Sequence, residues 1–565
     1  MELKNSLKIC QNCKNEFSIE QEDFNFYEKI KVPPPTFCPV CRMQRRMNWQ
    51  GYRILYKRKC DFSGNSILST YHPDSPYTVY NQEIWWSDKW DAKKYGKEID
   101  WEKPFLEQFK ELMLKVPHAS FASGYSTMIR SDYCNAASNC KDCYLCFRIS
   151  GGEESAYLNV VVDGRQSFDC SFINHSELCY GSTNIDKYYE TFFSHDCLEC
   201  QNVFFSKDLV GCSNCFGCIN LRMKQYCIFN HQYSREEYFE KLKEFDFSTL
   251  LGAERTKVEV EKFILTQPRK QFHGVKNVNV SGDYIFRSKN VHDSFLLSNG
   301  EDLRYCQLLK NGPAYSSYDW TLFGDNAELM YECAWCGWDS RNVKFSAFNF
   351  TTHDMEYCFG SHHSKNVFGC VNLKNAEYCI LNKQYSKEEY HRLVEKIKKQ
   401  MMEKPYVDVL GRKYFYGEML PVELSPWAYN ETTVYEWFPK EKEEAIKEGF
   451  RWREPDFREY LDANYIIPDK IKEVSDDILK AILKCEKCGK NYQIIEKELV
   501  FLRRFNLPVS HDCPLCRDRA RFKELNPLQI YNRICDKCNI PIKTSYAPER
   551  PEIVYCEKCY QQEVY

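Results

Sequence analysis

The chain has no run of about 18 uninterrupted apolar residues, so no stretch of it reads as a membrane-spanning helix. Its opening residues, MELKNSLKIC, lack the apolar segment of a secretory signal, and the expectation is a cytoplasmic protein with no membrane partner. G-x-S-x-G, Walker, G-x-G-x-x-G and H-E-x-x-H motifs are all missing, which removes the commonest hydrolase, nucleotide-binding and metalloprotease signatures. Excess charge is missing too. With a formal net charge of -3 over 565 residues, the molecule as a whole is not a basic nucleic-acid coat, and any basic surface must be local.

Cysteine is what the chain has in abundance, 31 residues, many in C-x-x-C pairs. In a small secreted chain that number would mean a disulfide framework. In a large chain without a signal it points to thiolates held for metal.

Two internal repeats order these cysteines. Under a shift of 475 residues, Cys10, Cys13, Cys38 and Cys41 fall on Cys485, Cys488, Cys513 and Cys516, and the match runs on through Phe26 on Phe501, Arg42 on Arg517, Arg46 on Arg521 and Cys60 on Cys535. The two ends are copies of one module. Under a shift of 152, FGCINLRMKQYCIFNHQYSREEY from Phe216 falls on FGCVNLKNAEYCILNKQYSKEEY from Phe368. Each copy ends on a capping box, Ser234 with Glu237 and Ser386 with Glu389, that starts a helix. Upstream of both, short β-prone pieces recur about every 12 residues, and two pieces would make a solenoid rung of about 23.

The expected fold is mainly β with some α: a central β-solenoid, like a parallel β-helix, flanked by zinc-ribbon or treble-clef modules. The expected division is a zinc module with one four-cysteine site over 1–100, an amphipathic helix and connector over 101–130, and solenoid halves with capping helices over 131–250 and 251–400. A connector over 401–480 and a module with two four-cysteine sites over 481–565 complete it. Residues 468–484 read as a helix.

The strongest chemical signal is C-x-x-C, then 24 intervening residues, then C-P-x-C, present twice. Two C-x-x-C turns aim four sulfurs at one point and make a closed tetrahedral zinc site. The C-terminal copy adds Cys535, Cys538, Cys556 and Cys559, and the N-terminal copy, which has only the first four in pairs, sets the pairing for both. Three structural Zn2+ ions are expected, none with an open position for catalysis.

The middle cysteines read differently. Cys140, Cys143 and Cys146, and Cys212, Cys215 and Cys218, have iron–sulfur spacing. Under the 152 shift, however, Cys212 meets Ser364 and Cys215 meets Val367, so the expectation is small buried residues in a solenoid core. Cys333 and Cys336 only superficially resemble a redox pair. His362 and His363 read as solvated turn residues.

For function, residues 42–59 (RMQRRMNWQGYRILYKRK) carry seven basic side chains and no acid among aromatic rings. Arg42, Arg45, Arg46, Trp49, Tyr52, Arg53, Lys57, Arg58 and Lys59 form the candidate RNA or DNA surface, cations for phosphates beside rings for bases. The competing reading pairs these arginines with neighbouring acids and makes the chain a protein-binding scaffold with purely structural zinc. A third reading, a carbohydrate-active enzyme on the solenoid, would recruit Asp163, Asp169 and Asp196.

The cysteine sets at 10–41 and 485–516 resemble zinc-ribbon or treble-clef fingers, and CDKCNIPIKTSYAPERPEIVYCEKCY resembles short zinc-binding domains of bacterial proteins. The overall layout resembles large uncharacterised zinc-ribbon proteins of uncultured bacteria. That resemblance implies a binding role over a catalytic one and supplies no mechanism.

Overall fold

The computed structural model describes residues 6–309, 312–456 and 459–564. The chain folds as two compact units, Met1–Phe121 with Phe272–Glu454, and Ala122–Gln271 with Pro455–Tyr565. Each unit joins one solenoid half to one terminal module. The pairing is crossed in sequence: the N-terminal module belongs with the second half, the C-terminal module with the first.

Both halves are stacks of parallel strands, closed by a single antiparallel strand at Gln225–Ile228 with His231–Gln232 and at Glu377–Ile380 with Lys383–Gln384. Asn159 lies opposite Ser171 and Ser171 opposite Thr183; Arg341, His353, Lys365 and Glu377 stack in the same way. One turn is therefore 12 residues, about half the rung expected from the sequence. The cause is local backbone geometry. Every third residue takes the left-handed conformation, as at Asn139 (φ 54°), Asp142 (58°), Leu145 (49°) and Arg148 (54°), and each bends the chain. A 12-residue turn thus has four short sides. Asn and Asp tolerate this conformation, but Tyr157 and Val160 (both φ 60°) adopt it as well. At those positions the parallel ladder outweighs the local preference.

Along most of each stack the residue after a bend is buried, so the core takes one side chain in three: Cys140, Cys143, Cys146 and Ile149 belong to one core cluster. The inward Ser and Cys side chains have a specific task. Ser206 Oγ accepts the Cys218 N–H (3.0 Å) one turn on, Cys218 Sγ accepts the Asn230 N–H (3.4 Å), and Cys200 Sγ accepts the Cys212 N–H (3.3 Å). In the other half Ser346 Oγ and Cys370 Sγ accept from Cys358 and Asn382. A buried N–H left without an acceptor would cost about 1–3 kcal/mol. Cysteine and serine interchange along the bore because either atom supplies that acceptor.

Helices stand where the capping residues place them. Ser234 and Glu237 form the expected box at the start of Arg235–Leu242, and Ser386 accepts the Glu389 N–H (3.2 Å) ahead of Lys387–Glu403. Phe105–Lys115 is the expected amphipathic helix, with Phe105, Phe109 and Leu112 buried. Residues 468–484 differ from expectation. They form two short 3-10 turns, Ile471–Glu473 and Asp476–Lys480, because the Ser475 side chain caps Asp477 N–H and starts a new turn where a helix would have continued.

Candidate metal centres

Three sets of four cysteines bring their sulfurs together, each set with all Sγ atoms within 4.8 Å of one another: Cys10, Cys13, Cys38 and Cys41; Cys485, Cys488, Cys513 and Cys516; Cys535, Cys538, Cys556 and Cys559. Within them Cys13 lies 3.7 Å from Cys38, Cys488 3.7 Å from Cys513 and Cys538 3.8 Å from Cys556. A metal with bonds of about 2.3 Å to four sulfurs would set the tetrahedron's edge at about 3.8 Å. All three sets therefore fit one metal ion each, held by protein sulfur alone.

The chain prepares each set in the same way. Two ligands come from a tight turn after a strand, in which Lys14, Gly489 and Asn539 adopt φ of 64°, 69° and 60° and donate their N–H to Cys10, Cys485 and Cys535. The other two come from the start of a helix. Cys38 and Cys513 precede Pro39–Met47 and Pro514–Phe522, with proline opening each helix. Backbone N–H groups of Cys38, Cys513 and Cys556 each donate to the first sulfur of their set at 3.2 Å. Burial raises the Cys485 and Cys535 thiols, but N–H donors outweigh it and bring them to about 7 and about 6. The first cysteine of each of these two sets thus favours the thiolate that a metal needs, whereas Cys516 and Cys559 are pushed up.

A fourth turn of the same build surrounds Cys60. Gly64 (φ 74°) donates to Cys60 O at 2.8 Å, and Asn81 N–H reaches the Cys60 sulfur at 3.4 Å, as Cys556 N–H reaches Cys535. Even the buttress is kept: Asp61 accepts Val79 N–H (2.7 Å) as Asp536 accepts Val554 N–H (2.6 Å). Ser63, Asn81 and Ile84 stand where Cys538, Cys556 and Cys559 would be. The fold of the site persists without its ligands, because strand pairing and the aspartate hold it.

The basic stretch lies immediately beyond the first set of ligands, and the structure turns most of it inward. Arg42, Arg45, Arg46, Trp49, Tyr52 and Arg58 are buried, Arg53 is half-buried, and Lys57 and Lys59 are exposed. On the helix Pro39–Met47, Arg42 pairs with Asp319 (2.9 Å), Arg46 with Asp319 (2.8 Å), and Arg45 with Glu332 and Glu418 (both 3.0 Å). Arg46 also donates to Thr321 Oγ1, Gln307 Oε1 and the Tyr305 carbonyl. Arg53 pairs with Glu436 and Arg58 with Asp61. The second unit repeats the device: Arg517 pairs with Asp169 and Glu498 (both 2.8 Å), and Arg521 with Asp169 (3.1 Å). Phe26 and Phe501, equivalent under the 475 shift, add matching aromatic contacts to Tyr318 (4.0 Å) and Phe168 (4.9 Å). One helix therefore has two tasks in each unit. Its first turn supplies cysteines of the quartet, and its later turns fix the module to solenoid carboxylates.

The pairing of those carboxylates with the arginines is what sequence reasoning missed. Asp319 and Asp169 lie hundreds of positions from their arginines and both sit in left-handed bends (φ 51° and 54°). The one available signal was an acid on an acid under the 475 shift, Asp23 on Glu498; Asp23 pairs with Arg304 at 2.9 Å. Of the acids a glycosidase reading would recruit, Asp169 is enclosed by arginines, Asp196 pairs with Lys207 (3.4 Å), and Asp163 faces His175 (3.6 Å). The middle cysteines occupy successive inward positions, and among the described residues no three of them bring their sulfurs within 4.8 Å. Their thiols donate to backbone carbonyls two residues earlier, as Cys140 does to Ser138 (3.3 Å) and Cys333 to Tyr331 (3.3 Å). Burial pushes Cys170 and Cys306 up to about 12, as expected of neutral core thiols. His363 is exposed, and the His362 ring packs beside Trp86 and Phe350. No protein-family model matches the chain and no curated protein does either, so the likeness to zinc-ribbon fingers rests on cysteine spacing and site geometry alone.

Proposed function

We propose that the protein is a zinc-stabilised β-solenoid scaffold whose partner is another protein. Four thiolates per site, with no water or carboxylate position, are the chemistry of structural zinc. The observation that carries the partner class is the inward pairing of Arg42, Arg45 and Arg46 with Asp319, Glu332 and Glu418. The side chains best suited to phosphate are engaged by the protein itself, which leaves the nucleic-acid reading with Lys57 and Lys59 as its exposed cations. Salt-dependent binding separates the two readings. A nucleic-acid surface making 6–10 phosphate contacts would lose about 10^3 to 10^5 in affinity between 50 and 200 mM salt. The scaffold reading predicts no such binding to single-stranded RNA or duplex DNA at 50 mM salt, and a protein partner retained at fixed stoichiometry in 200 mM salt. Steeply salt-dependent binding lost on Lys57→Ala and Lys59→Ala would overturn it.

A further inference from the structure

The bore of the first solenoid half ends in a concentration of thiols that the structural sites do not use. Cys200 and Cys212 stack on adjacent turns, with Cys212 N–H on the Cys200 sulfur at 3.3 Å. Cys215 and Cys227 stack one side further round, as direct register partners. Cys212 and Cys215 are successive inward residues of a single turn, so the two stacked pairs are neighbours. All four are buried. The position one turn beyond Cys212 is Lys224, which is exposed and whose carbonyl accepts the Ser213 N–H, so the group lies one turn from the end of the stack, where the helix Arg235–Leu242 sets the buried Tyr238 beside Cys215 and Cys227.

Stacked parallel strands are about 4.8 Å apart. A cation held linearly between two sulfurs, with bonds of about 2.3 Å, spans about 4.6 Å. No three of these sulfurs converge within 4.8 Å, which rules against a tetrahedral ion or an iron–sulfur cluster here without rearrangement but suits two-coordinate binding. Two-coordinate thiolate binding is the preference of soft monovalent ions, Cu(I) foremost. We infer that Cys200 with Cys212, and Cys215 with Cys227, form a binding site for Cu(I) or a like thiophilic cation, distinct from the three outer cysteine quartets. On binding, each thiol gives up its proton and its bond to a backbone carbonyl, and two protons leave per ion.

The other half of the chain supplies a control that should fold. Under the 152 shift Thr352, Ser364 and Val367 stand in place of Cys200, Cys212 and Cys215, in the same fold. The variant Cys200→Thr/Cys212→Ser/Cys215→Val therefore carries residues that a bore of this geometry accepts, and Thr and Ser keep a hydroxyl as N–H acceptor. The test titrates full-length wild type and variant, both zinc-loaded, with Cu(I) under anaerobic conditions, and measures copper and zinc on the same samples by elemental analysis. The inference predicts that the variant retains its zinc and its circular dichroism spectrum but takes up two fewer Cu(I) per chain. Equal copper uptake by the two proteins, or copper bound only as zinc is released, would overturn it.

Discussion

Replacing Arg46 with methionine separates a side chain that fastens a module from one that waits for phosphate. Arg46 is fully buried, and its guanidinium donates to Asp319 (2.8 Å), Thr321 (2.9 Å), Gln307 (3.1 Å) and the Tyr305 carbonyl (3.2 Å). Breaking a buried ion pair from one side costs about 3–5 kcal/mol, because the remaining charge stays buried. Asp319 keeps Arg42 at 2.9 Å, which places the expected loss at the lower end, about 3 kcal/mol. An exposed cation such as Lys57 should cost no more than about 0.5 kcal/mol on removal. The assay is built into the composition: all eleven tryptophans lie in the unit that contains Arg46, so selectively excited tryptophan fluorescence in urea follows that unit alone. With an m-value of about 3 kcal/mol/M, Arg46→Met should lower the midpoint by about 1 M. Adding Asp319→Asn, which removes the stranded charge, should cost less than the sum of the two single changes. An Arg46→Met midpoint indistinguishable from that of Lys57→Ala would refute the reasoning.

Three further outcomes follow from the same contacts. Cys13→Ser should leave one cysteine quartet with three thiolates, lower the zinc content from three to two ions per chain, and remove stabilisation on the order of 10 kcal/mol from the N-terminal module, whereas Cys60→Ser should leave zinc content unchanged. His118 is buried, donates from Nε2 to the Met113 carbonyl (2.7 Å) and accepts at Nδ1 from Asn372 (3.2 Å); burial lowers it to about 4. The unfolded chain then takes up this proton first, so the contribution of His118 is complete above about pH 6.5 and is lost as pH falls towards 4, by up to about 3 kcal/mol. The stability difference between wild type and His118→Gln, followed by tryptophan fluorescence, should narrow over that interval, and a constant difference would contradict the assignment. In the bore, Ser206→Ala removes the acceptor of Cys218 N–H and should cost about 1–3 kcal/mol with faster amide exchange at Cys218, while Ser206→Cys should be nearly neutral.

The cysteine quartets were legible in the sequence because their members are local. Two C-x-x-C turns and a proline after the third cysteine specify a tight turn and a helix start, and the 475-residue repeat supplies the pairing. The solenoid was legible as a class, but its turn length was not. Strand patterning has a period of two, whereas this bore takes an inward residue every third position, and Cys143, Cys146, Ile149, Gly152 and Ser155 show that period only once left-handed bends are allowed at residues such as Leu145. The arginines of residues 42–46 could not be placed from the sequence for a different reason. Charge in sequence carries no sign of burial, and the acids that neutralise them, Asp319, Glu332 and Glu418, are brought near only by the fold. The predicted helix at 468–484 failed locally: buried Ile471, Val474 and Ile478 have helical spacing, but Ser475 breaks the run with its own cap.

The most direct test of the account is metal stoichiometry and coordination in the protein as isolated. Elemental analysis with zinc-edge X-ray absorption should find three zinc ions per chain, each with four sulfur neighbours at about 2.3 Å. Fewer than three ions, oxygen or nitrogen in the zinc shell, or stoichiometric iron in place of zinc would contradict it.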